Sequence, residues 1–529
     1  MIYATNSYFE LDQSRQMLLG GMLARNARKC PDQEGIIFKD RRITYRELDQ
    51  RVNCVANALN AKGIKKGDTI GLLMPNRQEM VEIFFAAAKI GAVSVPVNIR
   101  LAYKEMAYIL NNAEAKILFL TQAYLEGMET VRKDLPLLQE IILLDGSGAE
   151  KNYDALLQEC PAAPPRIRLQ DDDPAFLIYT AGTTGKPKGA ILSHKNLIVN
   201  AMTIDRENAY SNPRLPDLPF ISPKVLSITP FFHVAGIVGV VKTLYMMVPM
   251  VIKDFEPLEL LKTIESERIT FLFLVPAMWQ MVMNHPDFKK YDVSSIRTVA
   301  YGADITRNAM KEEILEAFPN ASLYEAFGQT EMTATAVYMK HQDALRKEGS
   351  VGLPLCNVEV RVVNDRMEDV WVNEVGEIIY RGPGLFQGYY KNPEETEKAF
   401  EGGWFHSGDL VRRDEEGFIY VVDRKKDMII SGGENIYSAE VESVLLTHPK
   451  IREAAVIGVP DLKWGEAVKA FLVLEPGREA TEDEVTQFCL ENLARYKRPK
   501  AIEFLSALPR SATGKVLKRE LRKKNEVGV

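Results

Sequence analysis

Ala175-Phe-Leu-Ile-Tyr179 runs without interruption into Thr180-Ala-Gly-Thr-Thr-Gly-Lys-Pro-Lys-Gly189, and the architecture of the chain hangs on that junction. The apolar run predicts a short buried strand, so the polar stretch leaves the end of a strand as a loop. Behind it, Ala190-Ile-Leu-Ser-His-Lys-Asn-Leu197 resumes an apolar rhythm, with Ser193 placed as a helix N-cap. Three glycines (Gly182, Gly185, Gly189) let backbone N–H groups turn inward, and Thr180, Thr183, Thr184, Lys186 and Lys188 add hydroxyl donors and positive charge. The result is a cradle for a polyphosphate. It is not a Walker A loop, because Pro187 follows Gly185-Lys186 where a metal-binding Ser or Thr would stand.

Working outward, 529 residues allow more than one domain, and 46% hydrophobic residues can fill several cores. Sixty-six basic against 72 acidic residues give no bulk field for nucleic acid or an anionic membrane, so anion specificity must be local. Five scattered cysteines (Cys30, Cys54, Cys160, Cys356, Cys489) with no C-x-x-C spacing argue for reduced thiols rather than a disulfide or zinc framework. The first ten residues lack a basic head and an apolar h-region, and the long apolar stretch Ala235 to Ile252 is broken by Lys242 and Pro249. The expectation is a soluble, cytoplasmic protein without a membrane span.

Toward the N-terminus, Leu48, Val52, Val55, Ala56 and Leu59 recur at helical spacing until Gly63. Asp68 to Met74 then reads as a strand, Glu79 to Ile90 as a helix and Ala92 to Val97 as a strand. That alternation predicts a parallel sheet covered by helices, and it returns at 116–120, 140–144 and 269–275. From about Gly352 the pattern shifts to short strands with close turns, which predicts a small β-barrel or sandwich. Beyond Asp423 a compact α+β unit is expected, with helices over 438–446 and 481–493 and strands over 451–457 and 468–474. The Pro-rich segment from Asn212 to Pro223 receives no role.

Five further segments join the cradle: Phe231-Phe-His-Val-Ala-Gly236, Tyr324-Glu-Ala-Phe-Gly-Gln-Thr-Glu331, Gly403-Trp-Phe-His-Ser-Gly-Asp409, Asp423-Arg-Lys-Lys-Asp-Met-Ile-Ile-Ser-Gly-Gly-Glu-Asn435 and Pro509-Arg-Ser-Ala-Thr-Gly-Lys515. In this order, across nearly the whole chain, they resemble the adenylate-forming superfamily and within it the acyl-CoA synthetases. The resemblance implies an α/β fold: an N-terminal AMP-binding domain over 1–425, of two parallel-type sheets plus a small β-barrel at about 352–423, and a small mobile α+β domain over 426–529 that carries the catalytic lysine. It implies ATP, Mg²⁺ and coenzyme A, and a carboxylate attacking the α-phosphorus of ATP, where catalysis is mostly electrostatic and positional.

Within that resemblance Thr180, Ala181, Gly182, Thr183, Thr184, Gly185, Lys186 and Lys188 cradle phosphate. Thr330 and Glu331 match the pair that contacts the α-phosphate and holds magnesium, a hard cation that prefers carboxylate oxygen. Gly302, Ala303 and Asp304, with Glu325, Phe327, Gly328 and Gln329, match the adenine-lining segments. The family usually has tyrosine where Phe327 stands; stacking survives that change and a phenolic hydrogen bond does not. Asp409 and Arg424 match the ribose and phosphate contacts. Lys426 falls at the hinge about which the C-terminal domain rotates between half-reactions, and Lys425 reads as exposed linker. Lys515, on the Thr-Gly turn, resembles the lysine that reaches the α-phosphate and the substrate carboxylate; losing one such preorganised partner costs roughly 3–4 kcal/mol. The basic residues behind it (Lys518, Arg519, Arg522, Lys523, Lys524) read as a solvated tail.

His233 lies at the family's acyl pocket entrance, where amino-acid-activating relatives place an aspartate. Around it Val234, Ala235, Gly236, Ile237 and Val238, with Trp279 and Tyr301, describe an apolar pocket with no placed charge, so the expected acid is apolar beyond its carboxylate. The remaining histidines (194, 285, 341, 406, 448) show no metal-ligand spacing. For the thiol half-reaction Arg100, Trp464, Tyr496 and Arg498 resemble contacts to the nucleotide end of CoA, and Gly432 and Gly433 a pantetheine tunnel. The alternatives left standing are an acyl-adenylate ligase that loads a carrier protein and a non-catalytic nucleotide-binding relative. The expected partners are a small carboxylic acid, ATP and CoA, with no nucleic acid or integral membrane, and homodimerisation is left open.

Overall fold

The computed structural model describes residues 6–145, 152–180, 186–209, 220–302, 306–431, 434–461, 463–510 and 516–526. Packing divides the chain into two units, Met1–Val360 with Tyr380–Phe405, and Arg361–Ile379 with His406–Val529. The motifs lead one to expect a boundary at 425/426; by packing, the segment 352–423 is shared between the units, with 361–379 and 406–423 going with the C-terminal residues.

The first unit holds two sheets. One has six strands in the order Glu140–Leu143, Ile117–Leu120, Thr69–Leu73, Val93–Pro96, Pro174–Thr180, Lys188–Ser193. The first five run parallel, and the last is antiparallel. All residues of Thr69–Leu73, Val93–Pro96 and Ile117–Leu120 are buried, as strands covered on both faces must be. The other sheet has nine strands: Leu353–Pro354, Val337–Met339, Ser322–Phe327, Thr298–Gly302, Phe271–Phe273, Val225–Ser227, Met250–Ile252, Glu34–Phe38, Arg41–Thr44. Its six central strands are mutually parallel.

The helices match the periodicity. Tyr45–Ala61 opens on a capping box in which Thr44 and Glu47 satisfy each other's backbone N–H. It packs on Gln78–Ile90, the two pinned by a buried forked ion pair: Arg51 Nε and Nη2 donate to Glu82 at 2.7 and 3.0 Å, and the Tyr153 hydroxyl donates to the same carboxylate. Phe84 of Gln78–Ile90 meets Phe176 of Pro174–Thr180 edge to face at 4.9 Å, a contact worth about 0.5–1.5 kcal/mol beyond its burial.

The second unit contains a four-stranded sheet and a five-stranded one. The four-stranded sheet runs Glu359–Val363, Gly376–Arg381, Phe405–Arg413, Ile419–Arg424, the short strands expected over this stretch. In the five-stranded sheet the long strand Gly465–Leu474 buries alternate residues on opposite faces. Val468, Ala470 and Leu472 join Val441, Leu445 and Val485 of two helices, while Phe471 and Val473 join Leu521 of the helix Lys518–Glu526. That second face corrects the solvated reading for Lys518 and Arg522, while Arg519, Lys523 and Lys524 are exposed as expected. Leu521 is fully buried, Lys518 pairs with Glu442 at 2.7 Å, and Arg522 pairs with Asp427 at 2.8 Å. Charge count alone concealed Leu521, the single apolar residue of the helix, whose burial with these two ion pairs docks it.

Candidate functional site

The cradle is a hairpin. Pro174–Thr180 and Lys188–Ser193 pair with Tyr179 opposite Gly189 and Thr180 opposite Lys188. The chain therefore leaves one strand and returns along it, where a P-loop would pass straight into a helix. Only after the second strand does the helix His194–Ala209 begin, capped by Ser193, whose Oγ accepts from Asn196 N at 3.2 Å while Asn196 Oδ1 accepts from Ser193 N at 2.9 Å. Ala181, Gly182, Thr183, Thr184 and Gly185 lie outside the described residues. Lys186 sits 5.9 Å over the Tyr108 ring. Lys188 is nearly buried, ion-paired to Glu395 and 5.3 Å over the Tyr389 ring.

A segment that the sequence reading passed over fastens this hairpin. Tyr390 N donates to Gly189 O at 2.8 Å, Ile191 N to Gly388 O at 3.0 Å and Gln387 N to Ile191 O at 2.9 Å, so 387–390 lies along the hairpin edge. The same segment reaches Glu331. The Tyr389 hydroxyl donates to Glu331 Oε1 at 2.8 Å, and Phe386 N donates to Glu331 O at 2.8 Å. Burial and the Glu331 carboxylate push the Tyr389 hydroxyl well above its ordinary pKa, so it stays a donor.

Thr330 and Glu331 sit on a single helical turn, Thr330–Met332, after the strand Ser322–Phe327. The exit from that turn is strained: Thr333 and Ala334 hold φ of 52° and 74°, which costs a non-glycine residue about 1–3 kcal/mol. Three bonds hold it there. Thr333 Oγ1 donates to Gly384 O at 2.6 Å, Asn200 Nδ2 donates to Thr335 O at 2.9 Å, and Ala336 N returns to Phe327 O at 2.9 Å. A carboxylate and a threonine hydroxyl fixed in this way form a hard-oxygen donor set that suits Mg²⁺. Among the described residues no three His, Cys, Asp or Glu side chains converge on a metal position.

At the neighbouring strand ends the backbone is packed too closely for side chains. A Cβ on Gly302 would lie 2.5 Å from Ala326 O, and one on Gly328 2.4 Å from Ala334 O, so backbone alone fits at both places. Phe327 and Gln329 are half-buried. Ala303 and Asp304 lie outside the described residues. Glu325 turns inward: burial pushes its carboxyl up to about 8, opposed in part by Lys311, whose Nζ is 3.9 Å away and also donates to Ala344 O at 3.0 Å. Its side chain is engaged with the core, as is that of Trp279. The Trp279 indole packs edge-on to Phe318 at 5.4 Å and donates to Ala300 O at 3.4 Å.

His233 is the residue before the helix Val234–Tyr245, its ring against Phe232 at 4.7 Å. The loop ahead of it is pinned by Asn76, whose Oδ1 accepts from Phe231 N at 2.8 Å and whose Nδ2 donates to Thr229 O at 2.9 Å. Ile237, Val238 and Tyr301 are buried. The same helix buries a charge that the sequence reading did not place, Lys242, 4.3 Å over the Phe271 ring. In the sequence it shows only as a break in an apolar run.

In the second unit Asp409 and Arg424 face each other across antiparallel strands, in register, with Arg424 Nε 2.7 Å from Asp409 Oδ1. Asp409 is 4% exposed. Glu377 organises the turn before it, accepting from Gly408 N at 3.0 Å and contacting His406 Nδ1 and Lys425 Nζ at 3.2 Å. Lys425, read as plain linker, is thus exposed yet paired, with Asp365 at 2.8 Å as its second partner. Lys426 is exposed. Trp464 is 42% exposed between the ammonium groups of Lys463 and Lys500, at 4.7 and 5.2 Å from its ring. Tyr496 is exposed beside Lys497. Arg498 instead donates to Leu493 O and Leu490 O, closing the end of the helix Glu482–Asn492. Arg100 N donates to Asn98 Oδ1 at 3.0 Å. Gly432, Gly433 and Lys515 lie outside the described residues. The other histidines have local partners: Nδ1 of His285, His341 and His448 accepts from Asp287, Leu323 and Lys450 N, and that of His194 from Leu19 N.

Comparison with known proteins shows the family. Residues 23–390 match the family model described as AMP-binding enzyme, and residues 440–515 match its C-terminal domain. Feruloyl-CoA synthase of Amycolatopsis sp is 35% identical over 512 residues, covering 96% of this chain and 99% of its own. Among solved structures, the anthranilate CoA ligase AuaEII in complex with anthranoyl-AMP superposes with a TM-score of 0.84 at 28% identity, over 97% of this chain and 98% of that one. The o-succinylbenzoate coenzyme A synthetase of Bacillus subtilis, in complex with ATP and a magnesium ion, gives 0.81 at 31% identity, over 94% and 98%. No helix among the described residues is long and apolar enough to cross a membrane.

Proposed function

The chain belongs to the AMP-binding enzyme family, and from that premise we propose that it is an AMP-forming acid–thiol ligase that joins an apolar-bodied carboxylic acid to coenzyme A. The observation that carries the reading is Glu331, whose carboxylate accepts from the Tyr389 hydroxyl and whose backbone carbonyl accepts from Phe386 N, both from the segment that also edges the phosphate hairpin. In the first half-reaction a substrate carboxylate oxygen attacks the α-phosphorus of ATP; the bond to the bridging oxygen breaks, pyrophosphate leaves and acyl-AMP forms. In the second, the CoA thiolate attacks the acyl carbonyl and AMP leaves.

The residue roles follow from chemistry. Thr180, Lys186 and Lys188, with the stretch 181–185, offer donors and positive charge to the phosphates. Thr330 and Glu331 would hold magnesium, which neutralises developing phosphate charge when bound. Phe327 stacks on adenine over the glycine-lined strand ends. Asp409 takes the ribose hydroxyls with Arg424 beside it, and His233 orients the substrate carboxylate. Lys515 serves adenylation; Lys426 is the pivot between half-reactions. Trp464 and Tyr496, with Lys463 and Lys500, suit a nucleotide ring and its phosphates at the CoA end. The CoA ligase names of the relatives support free CoA over a carrier protein as acceptor.

Acid-dependent AMP release across a panel of carboxylic acids, with and without CoA, tests this directly. Lys515→Ala is expected to abolish ATP use while still converting supplied acyl-adenylate to acyl-CoA. Equal loss of both steps would refute the division of labour. Pyrophosphate exchange without thioester formation on free CoA would move the assignment to carrier loading.

A further inference from the structure

The two cradle lysines Lys186 and Lys188 stand in different company. Lys186 is exposed and, among the described residues, has no carboxylate partner, whereas Lys188 is ion-paired to Glu395. Glu395 occupies the first turn of the helix Pro393–Ala399, where Asn392 Oδ1 caps the helix by accepting from Glu395 N at 3.3 Å. The Tyr389 ring faces the same ammonium, and Tyr389 N donates to Thr396 Oγ1 at 2.9 Å, so the aromatic face and the carboxylate are held by one short stretch of chain.

The ion pair is not what fastens that stretch. Three backbone hydrogen bonds between 387–390 and the hairpin, at 2.8 to 3.0 Å, already do so, and Thr396 Oγ1 donates to Asn392 O at 2.8 Å behind them. The two side chains also differ in their way out. That of Lys188 is 10% exposed and that of Glu395 29%, so the carboxylate can withdraw into water while the ammonium stays. The hydrogen bond from Lys188, with the charge of Lys398 on the same helix, holds the Glu395 carboxyl below its usual range, and it is an anion at neutral pH. An ammonium has three donors but one charge. With the carboxylate beside it, an approaching phosphate meets repulsion from Glu395 as well as attraction to Lys188.

We propose that Glu395 is a counter-anion built into the cradle: its carboxylate neutralises Lys188 between turnovers, yields it to the β- and γ-phosphates of ATP, and takes it back as pyrophosphate leaves. This rests on the adenylation reading above, in which Thr330 and Lys515 serve the α-phosphate and the cradle takes the phosphates beyond it. The exchange weakens ATP binding and, by the same factor, favours pyrophosphate release. AMP, which lacks those phosphates, is indifferent to it.

Calorimetric titration of the full chain with ATP, pyrophosphate and AMP, each with magnesium, tests this on the wild type, Glu395→Gln and Glu395→Ala. Glutamine keeps the length and an acceptor oxygen and removes the charge; the alanine variant serves where the glutamine variant does not fold. Both are expected to bind ATP and pyrophosphate about 3- to 30-fold more tightly, between the worth of an exposed ion pair and that of a hydrogen bond to a charged group, with AMP binding unchanged. A strut that merely braced the segment would give the opposite, weaker binding of all three ligands. Unchanged or weakened binding of ATP and pyrophosphate, or an equal gain for AMP, overturns the proposal. Wild-type protein that binds neither ATP nor AMP strikes the adenylation reading, and this inference with it.

Discussion

Two glycines three residues apart on the His233 helix offer a matched pair of substitutions with opposite expected signs. A Cβ on Gly236 would sit 2.2 Å from Pro230 O, 2.7 Å from Pro230 C and 3.0 Å from Phe231 Cα, all backbone atoms that no rotamer change can move. A carbon and an oxygen need roughly 1 Å more, so either the helix start or the loop must shift, at an overpacking cost near the top of the usual 1–3 kcal/mol. Alanine recovers about 1 kcal/mol of helix propensity, which leaves Gly236→Ala about 2 kcal/mol less stable. Gly239→Ala meets nothing and should gain about 0.5–1 kcal/mol. The loop cannot yield silently, because Phe231 N is tied to Asn76 and His233 N donates to Pro230 O at 3.1 Å; moving Pro230 moves His233. A displacement of about 1 Å at a positioning group costs on the order of 10²-fold in rate. Urea unfolding with pyrophosphate release on the same preparations reads both effects. The reasoning fails if Gly236→Ala is as stable as Gly239→Ala, or if it keeps the wild-type rate.

Tyr389→Phe removes the donor to Glu331 Oε1 without changing the ring; with about 1.5–3 kcal/mol for a hydrogen bond to a carboxylate, the magnesium concentration for half-maximal rate should change about tenfold or more, and an unaltered magnesium titration would refute a role for this contact. Burial lifts the Glu325 carboxyl from 4.5 to about 8 in the folded state, so its contribution to stability is complete below about pH 4.5 and is lost as pH rises toward 8. Glu325→Gln should flatten that part of the profile, and equal slopes in urea midpoints between about pH 5 and about pH 8 would show that the group does not control it.

Much of the fold was legible because its signals are local. The run Asp68 to Val97 reads as strand, helix and strand from period and punctuation, and the structure places Thr69–Leu73, Gln78–Ile90 and Val93–Pro96 there. The six-stranded sheet follows from that repeat. Its last strand does not: Lys188–Ser193 turns back antiparallel because Thr180 and Lys188 pair across the cradle, and a strand's direction is a tertiary fact that a hydrophobic run does not record. The strands 359–363, 376–381, 405–413 and 419–424 were legible as short alternating runs, while their order in the sheet was not. Short alternating strands are common to open and closed sheets, and closure depends on whether the two edges meet.

Within the site, residues carrying a motif were legible and those carrying its support were not. Glu331 is conspicuous in Tyr324-Glu-Ala-Phe-Gly-Gln-Thr-Glu331; Tyr389, 58 positions later, becomes visible only when its hydroxyl is seen at 2.8 Å. Lys188 reads as a free cation in the cradle, yet it holds Glu395, 207 positions away, so any phosphate it binds must compete with a standing ion pair. Arg498 and Trp279 show the converse, residue types suited to a ligand whose polar atoms go to helix-end and strand carbonyls. Lys242 is the sharpest case. By residue type a lysine in an apolar helix predicts an exposed edge, because burying an ammonium is costly. Finding it 8% exposed, with its ammonium over the Phe271 ring, reverses that inference: a cation packed on an aromatic face can be buried where the sequence shows only a break in an apolar run.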